Sequence, residues 1–329
     1  MKILIIGGTV FLGRHLVDAA RRRGHQLTLF NRGRHNPELH PDIPKLRGDR
    51  TSDLTALQGR TWDVVIDTCA FTPADANASA RALAGSVRRY IFVSSIAVYR
   101  DWPASPVRES SPAFREGDGP DSDYGALKAG CERVFEKLLP GRVLHVRAGL
   151  LLGPYENIGR LPYWLHRVSG YPEIIAPGNP ERRLQLLDAR DLADWIISSA
   201  EQGRTGIINV AGRPRSVSMR AFLEFCKTVT GSSSRLVWTS DELLLQHGVE
   251  PWSELPLWMP QDQGPSVFDV NIDRALETGL RFCPWTETVR ATWSWLLDGG
   301  TPGDAHRQHM EAPTLTRAKE LGLLAVTPS

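Results

Sequence analysis

Ile3 to Ile6 is an unbroken apolar run that passes straight into Gly7-Gly8. A strand apolar on both faces belongs inside a parallel sheet covered by helices on each side. Leu12, Leu16 and Ala19 then recur at near-helical spacing, Arg21 to Arg23 crowd the last turn, and Gly24 supplies a stop. The alternation repeats. It predicts strands over 26–30, 45–47, 63–67, 90–94 and 144–147, and helices over about 76–85 and 124–139, the second stopped by Pro140-Gly141. Strand–helix alternation at this pitch means an α/β protein with an open, doubly wound parallel sheet.

Past Gly153-Pro154 the texture changes, and Pro, Gly and Trp become frequent, as in "PWSELPLWMPQDQGP" from Pro251 to Pro265. The sheet pattern returns briefly, with a helix over 191–200 and a strand over 207–210. Residues 1–153 with about 186–211 are therefore expected to form a dinucleotide-binding (Rossmann) domain. Residues 154–185 and 212–299 are expected to form a smaller, interleaved C-terminal substrate domain. Residues 300–329 read as a loose polar tail carrying a short helix near Leu315 to Leu324.

Length and composition leave this picture intact: 329 residues, 41% of them hydrophobic, suffice for a large core. A net charge of +2 with only short arginine runs, which read as solvated helix ends and loops, argues against a nucleic-acid partner. The 4 Cys are far apart and form no CxxC pair, so they read as reduced thiols of a cytosolic protein. The His residues do not sit at metal-ligand spacing, and His306 and His309 fall in the tail, so no metal is expected. The first apolar run is too short for a signal peptide, and no stretch approaches the ~20 apolar residues of a membrane helix. The expectation is a soluble, cytoplasmic protein without membrane association.

The stretch "IIGGTVFLG" resembles a nucleotide-binding βα turn with Val10 in place of its middle glycine. Gly7 suits the tight turn and Gly13 the close helix–strand packing. Val10 resists positive φ, so it must point away from the phosphates or hold the cofactor further off. Amides at the helix start can still bind anionic oxygens. After the second strand come Asn31-Arg32-Gly33-Arg34, with no carboxylate for ribose hydroxyls. Arg32 and Arg34 either accommodate a 2′-phosphate, which favours NADP(H) over NAD(H), or decorate a loop. Asp49 either accepts from an adenine amino group or caps a helix, as Thr51-Ser52-Asp53 could too.

Tyr124 and Lys128 lie four apart on one helical face, and the preceding strand ends in Ser94-Ser95 at the edge where such sheets carry their sites. A phenol with a pKa near ~10 is a poor base at neutral pH, but a neighbouring ammonium favours the phenolate. It can then exchange a proton with a substrate hydroxyl as hydride moves at the adjacent carbon.

Together "GGTVFLG", "GDR", "VSSIAVY", "YGALK", "RAGLLLGP" and "LDARDLA", in that order, resemble the extended short-chain dehydrogenase/reductase superfamily, in its NAD-dependent epimerase/dehydratase group. The first of these and "TLFNRGR" look closest to bacterial reductase-like proteins related to chloroplast stem-loop-binding proteins. The resemblance implies Tyr124 as acid/base, Lys128 on the nicotinamide ribose and Ser95 as the hydroxyl partner. It also implies cofactor contacts along Gly7, Thr9, Val10, Phe11, Leu12, Gly13, Asn31, Arg32, Arg34, Asp49, Arg50, Thr68, Cys69, Ala70, Ser94, Ala148 and Gly149. Substrate contacts are expected from Ile96, Tyr99, Gly153, Tyr155, Gln185 and Asp188, and a homodimer is implied.

Two departures shape the functional expectation. Ile96-Ala97 stand where dehydratases of the family carry an acid pair, which argues against elimination. Leu184 stands where nucleotide-sugar enzymes often carry arginine, with Arg182 and Arg183 just upstream. The expected reaction is NAD(P)-dependent hydride transfer at a secondary alcohol or ketone carbon of a sugar-, nucleoside- or natural-product-like small molecule. Epimerisation through a transient ketone uses the same trio. A non-catalytic RNA-binding relative is disfavoured by the intact trio and the low charge.

Overall fold

In a computed structural model that describes residues 1–102, 106–118, 123–302 and 314–327, the central element is a parallel sheet of seven strands. His306 and His309 lie outside the described residues. In chain order the strands are β1 (Lys2–Ile6), β2 (Gln26–Asn31), β3 (Lys45–Arg47), β4 (Trp62–Asp67), β5 (Val87–Ser95), β6 (Val143–Ala148), β7 (Leu150–Leu152), β8 (Glu173–Pro177), β9 (Arg183–Leu184), β10 (Leu186–Asp188), β11 (Gly206–Val210), β12 (Val217–Ser218) and β13 (Arg235–Thr239). The helices are α1 (Phe11–Arg22), α2 (Pro73–Leu83), α3 (Tyr124–Leu138), α4 (Arg160–Gly170), α5 (Ala189–Glu201), α6 (Met219–Thr230), α7 (Asp241–Gln246), α8 (Asp273–Glu277), α9 (Trp285–Leu297) and α10 (Arg317–Val326).

The sheet runs β11-β6-β5-β4-β1-β2-β3. Strand order reverses between β1 and β4, so a crevice opens there beyond the strands' carboxyl ends. Ile3 to Ile6 of β1 are all buried because the strand's two faces serve two cores. Ile3 and Ile5 join α1 and α5 on one side; Leu4 and Ile6 join α2 and α3 on the other. That is the physical content of the unbroken apolar run.

A third core gathers α4, α6, α9, β8 and β13. The sequence pattern predicts none of those helices, yet α6 carries its signals openly. Met219, Phe222, Leu223 and Cys226 recur at helical spacing, Ser218 caps Ala221 N at 3.2 Å, and Gly231 ends it at φ 67°. The Pro- and Trp-rich surroundings obscured them. Two boundaries also differ from expectation. Ile272, Ala275 and Leu280 bury into the core of the main sheet, with Arg274 donating to Ile207 O at 2.9 Å, so α8 packs with β11. The tail helix α10 is docked: buried Glu320 accepts from Ile175 N at 3.1 Å and Arg167 at 2.9 Å. Among the described residues no helix is long and apolar enough to cross a membrane.

Candidate active site

The βα turn solves the problem of Val10 without a positive φ at that position. Val10 is extended (φ −129°, ψ 145°), and the left-handed conformations fall on Gly7 (φ 111°), Gly8 (φ 92°) and Phe11 (φ 26°). Gly8, not singled out in the sequence, is also a close-approach position, since a Cβ there would lie 2.7 Å from Leu29 Cδ2. Gly13 is a close-approach position, since a Cβ there would lie 2.7 Å from Gly8 N. No side chain caps α1, so the amides of its first turn, at Phe11 and Leu12, stay available to an anion at the crevice.

Asn31 is fully engaged. Its amide donates to Gly7 O at 3.0 Å, and its oxygen accepts from Gly33 N at 3.0 Å and from Arg47. Asn36 adds a second staple, donating to Thr9 O at 2.8 Å. Arg32 and Arg34 are exposed at this edge, Arg32 reaching Asp49 at 3.9 Å. Asp49 caps its own turn, accepting from Thr51 N at 3.0 Å and Thr51 Oγ1 at 2.7 Å, bonds that hold its carboxyl below the usual range. Arg50 departs from expectation. Its guanidinium turns inward to the buried Asp67, at 2.8 and 3.1 Å, so it braces the sheet instead of facing the cofactor crevice. Asp67, which the sequence marks only as a strand end, also accepts from Tyr90 Oη at 2.7 Å and Cys69 N at 3.0 Å.

At the carboxyl edge of β5, Lys128 is 2% exposed, and its ammonium donates to Ala70 O at 2.9 Å and Val93 O at 2.8 Å. Thr68 Oγ1 donates to Ile6 O at 3.0 Å, and burial pushes the Cys69 thiol up. The start of α3 is capped by Asp123, which accepts from Ala126 N at 2.7 Å. It abuts the turn after Ser95, because a Cβ on Gly125 would lie 2.0 Å from Ala97 O. That contact sets Tyr124 beside the end of β5. The Tyr124 hydroxyl is paired with no protein group among the described residues. Ser95 Oγ accepts from Ala97 N at 3.1 Å, which leaves its own hydrogen for another acceptor. Gly125→Ala is expected to lower stability by about 1–3 kcal/mol through this clash, read as a drop in calorimetric melting temperature.

Several of the residues expected at the site bond or pack within the protein. Ser94 is buried and donates to Glu132, on the face opposite Ser95, because adjacent strand residues point to opposite sides. Ile96 and Tyr99 belong to the core, Tyr99 donating to Asn209 at 2.5 Å. Gln185 spends its amide on Gly212 O and Val270 O and its carbonyl on Val270 N, all at 2.8 Å. Asp188 caps α5 and chelates Arg190. The Tyr155 ring is sandwiched: Arg14 stacks over it at 3.5 Å, and His15 and Trp295 flank it. Gly153, at φ 142°, packs on Asp188, while Ala148 and Gly149 close the end of β6 against Ala211. A cavity of about 1020 Å³ lies beside the far end of α3, between Glu132, Arg147 and the 108–116 segment, and contains none of the expected site residues.

The sequence names Arg182 only as a neighbour of Leu184, and it does not single out Glu156. Arg182 stacks on Phe268 and donates to Gly264 O at 2.8 Å, but its buried Nε has no partner among the described residues. Glu156, next to the Gly153-Pro154-Tyr155 turn, is fully buried against Arg160 N (2.8 Å) and Leu161 N (3.2 Å), and burial pushes its carboxyl up to about 7. A raised folded value means that the folded state holds the proton more tightly. Stability is therefore expected to fall as pH rises from about 4.5 to 7, by at most roughly 3 kcal/mol from this group. Glu156→Gln should flatten that part of the melting-temperature profile.

The sequence profile of the NAD dependent epimerase/dehydratase family matches residues 75–211. Chloroplast stem-loop binding protein of 41 kDa b from Arabidopsis thaliana is 27% identical over 233 residues, 64% of this chain but 58% of that protein's length. A UDP-N-acetyl-alpha-D-glucosaminuronate decarboxylase from Bacillus cytotoxicus is 23% identical, covering 90% of this chain and 98% of the other. Among solved structures, UDP-glucuronic acid 4-epimerase from Bacillus cereus, in complex with NAD, superposes with a TM-score of 0.68 at 16% identity, over 91% of this chain and 99% of that one. At that identity the likeness establishes the fold.

Proposed function

We propose that the chain is a member of the extended short-chain dehydrogenase/reductase superfamily, in its NAD-dependent epimerase/dehydratase group, and that it catalyses hydride transfer at a secondary alcohol or ketone carbon of a small molecule. The observation that carries this reading is the buried Lys128 ammonium one helical turn below an unpaired Tyr124 hydroxyl, at the carboxyl edge of β5. A bound nicotinamide would supply the hydride acceptor or donor. The residues fit such a group: the uncapped start of α1 is a cradle for a diphosphate, and Asn31 and Asn36 hold the turn in shape. Tyr124 exchanges a proton with the substrate oxygen, Lys128 holds the ribose and favours the phenolate, and Ser95 directs its free hydrogen at the same oxygen. Arg32 and Arg34 give the adenosine end a preference for the 2′-phosphate of NADP(H).

Fluorescence titration with NADPH and NADH tests both levels. Tighter NADPH binding is expected. Tighter NADH binding overturns the cofactor preference, and binding of neither overturns the enzymatic reading.

A second reading, epimerisation of an anionic sugar derivative, is favoured by Arg182. Its half-buried guanidinium has no carboxylate within ion-pair distance among the described residues, and it can receive a phosphate or carboxylate of the substrate. Turnover of a sugar nucleotide with no net cofactor reduction would select this reading. A soluble cytoplasmic homodimer built on the outer faces of α2 and α3 completes the proposal.

A further inference from the structure

Tyr124, Lys128 and Glu132 lie four residues apart, on one stripe of α3. Two consecutive residues of β5 and the turn after them meet that helix. Val93 O accepts from Lys128, Ser94 Oγ donates to Glu132 Oε1 at 2.6 Å, and Ser95 leads into the Ala97 carbonyl that lies under Gly125. Glu132 is in turn gripped by Arg147, at 3.0 Å from Nε and 2.7 Å from Nη2. Arg147 stands directly across from Ser94 in the β5–β6 register and stacks over the Tyr99 ring at 4.8 Å. Ser94, Glu132 and Arg147 are 3%, 7% and 4% exposed.

A buried ion pair is weak evidence of stabilisation, because desolvation offsets most of the attraction. What this one supplies is direction: a carboxylate that must meet both Arg147 and Ser94 permits one axial and rotational setting of α3. We propose that Ser94, Glu132 and Arg147 form a positioning lock that fixes α3 on β5 and so sets where the Tyr124 phenol stands relative to the Lys128 ammonium, which the Ala70 and Val93 carbonyls hold from outside the helix. Ser94 acts through Glu132 and touches neither substrate nor cofactor. The attraction of ammonium for phenolate varies inversely with their separation, so a small slide of the helix changes the acidity of the phenol. The inference rests on the reading of Tyr124 as acid/base.

Ultraviolet absorbance of tyrosinate, followed through a pH titration of the NAD⁺-mixed protein, reads that acidity without a substrate. Subtracting the Tyr124→Phe titration isolates the Tyr124 step. Ser94→Ala leaves the Glu132–Arg147 pair intact, and it is expected to raise the midpoint of that step by about 0.5–1 unit, a three- to tenfold change in ionisation constant. Ser94→Cys keeps the volume with a weaker donor and is expected to shift it in the same direction by less. It provides the measurement if the alanine variant does not fold. An unshifted midpoint in whichever variant folds overturns the lock, whatever happens to the melting temperature. If Tyr124→Phe removes no titration step near neutral pH, the proposed function fails instead, a result distinguishable from failure of the lock.

Discussion

Replacing Tyr124 by Phe is expected to lower turnover about 10³-fold or more while leaving dinucleotide affinity close to that of the wild type. The substitution removes one oxygen that bonds to no protein group among the described residues. The start of α3 stays fixed by the Asp123 cap and the Gly125–Ala97 contact, and Lys128 stays fixed by the Ala70 and Val93 carbonyls. Nothing in the fold depends on the hydroxyl, so the loss falls on proton transfer alone. Steady-state assays against a panel of secondary alcohols, ketones and sugar nucleotides give the turnover, and nicotinamide fluorescence gives the affinity. Unchanged turnover would remove Tyr124 from the chemistry, and no turnover in either protein would favour the non-catalytic, RNA-binding alternative. A matching loss of affinity would mean that the phenol contributes to binding and not to chemistry.

Legibility of the fold in the sequence followed burial. Strands covered on both faces, such as β1, announce themselves as continuous apolar runs, and the helices between them are bounded by Gly and Pro. The third core was opaque because its helices are separated by Pro- and Trp-rich turns that break any running periodicity. At the site, residue types at fixed spacing were readable: Tyr124 with Lys128, and the glycines around the turn. Side-chain direction was not. Ser94 and Ser95 are adjacent letters with opposite fates, one locked to Glu132 and the other free to donate. Gln185, Asp188 and Arg50 have the chemistry of ligand-binding residues, but each is spent on the protein's own buried polar groups. Only three-dimensional partners reveal that expenditure, because a buried amide or carboxylate must be satisfied somewhere and sequence does not say where.

Asp67→Ala is expected to cost about 3–5 kcal/mol, the largest stability effect of any single change in the sheet domain. Asp67 is fully buried at the end of β4 and meets four donors: both Arg50 terminal nitrogens, the Tyr90 hydroxyl and the Cys69 amide. Burial opposes its ionisation, and the Arg50 guanidinium beside it overcomes that cost, holding the carboxyl below its ordinary value. A depressed folded value contributes stability above the unfolded pKa and loses it as pH falls, so this pair weakens only in acid. Truncation strands a guanidinium that is itself buried, together with two polar hydrogens, and their desolvation goes uncompensated. Denaturant unfolding of Asp67→Ala, Arg50→Met and the double variant separates the causes. If the stranded charge dominates, the double variant recovers much of the loss in the single aspartate variant. If it recovers nothing, the damage lies in the Tyr90 and Cys69 bonds. Because Asp67 leads directly into the 68–70 segment whose Ala70 carbonyl grips Lys128, the same truncation is expected to loosen the Lys128 ammonium, which couples this brace to the proposed site.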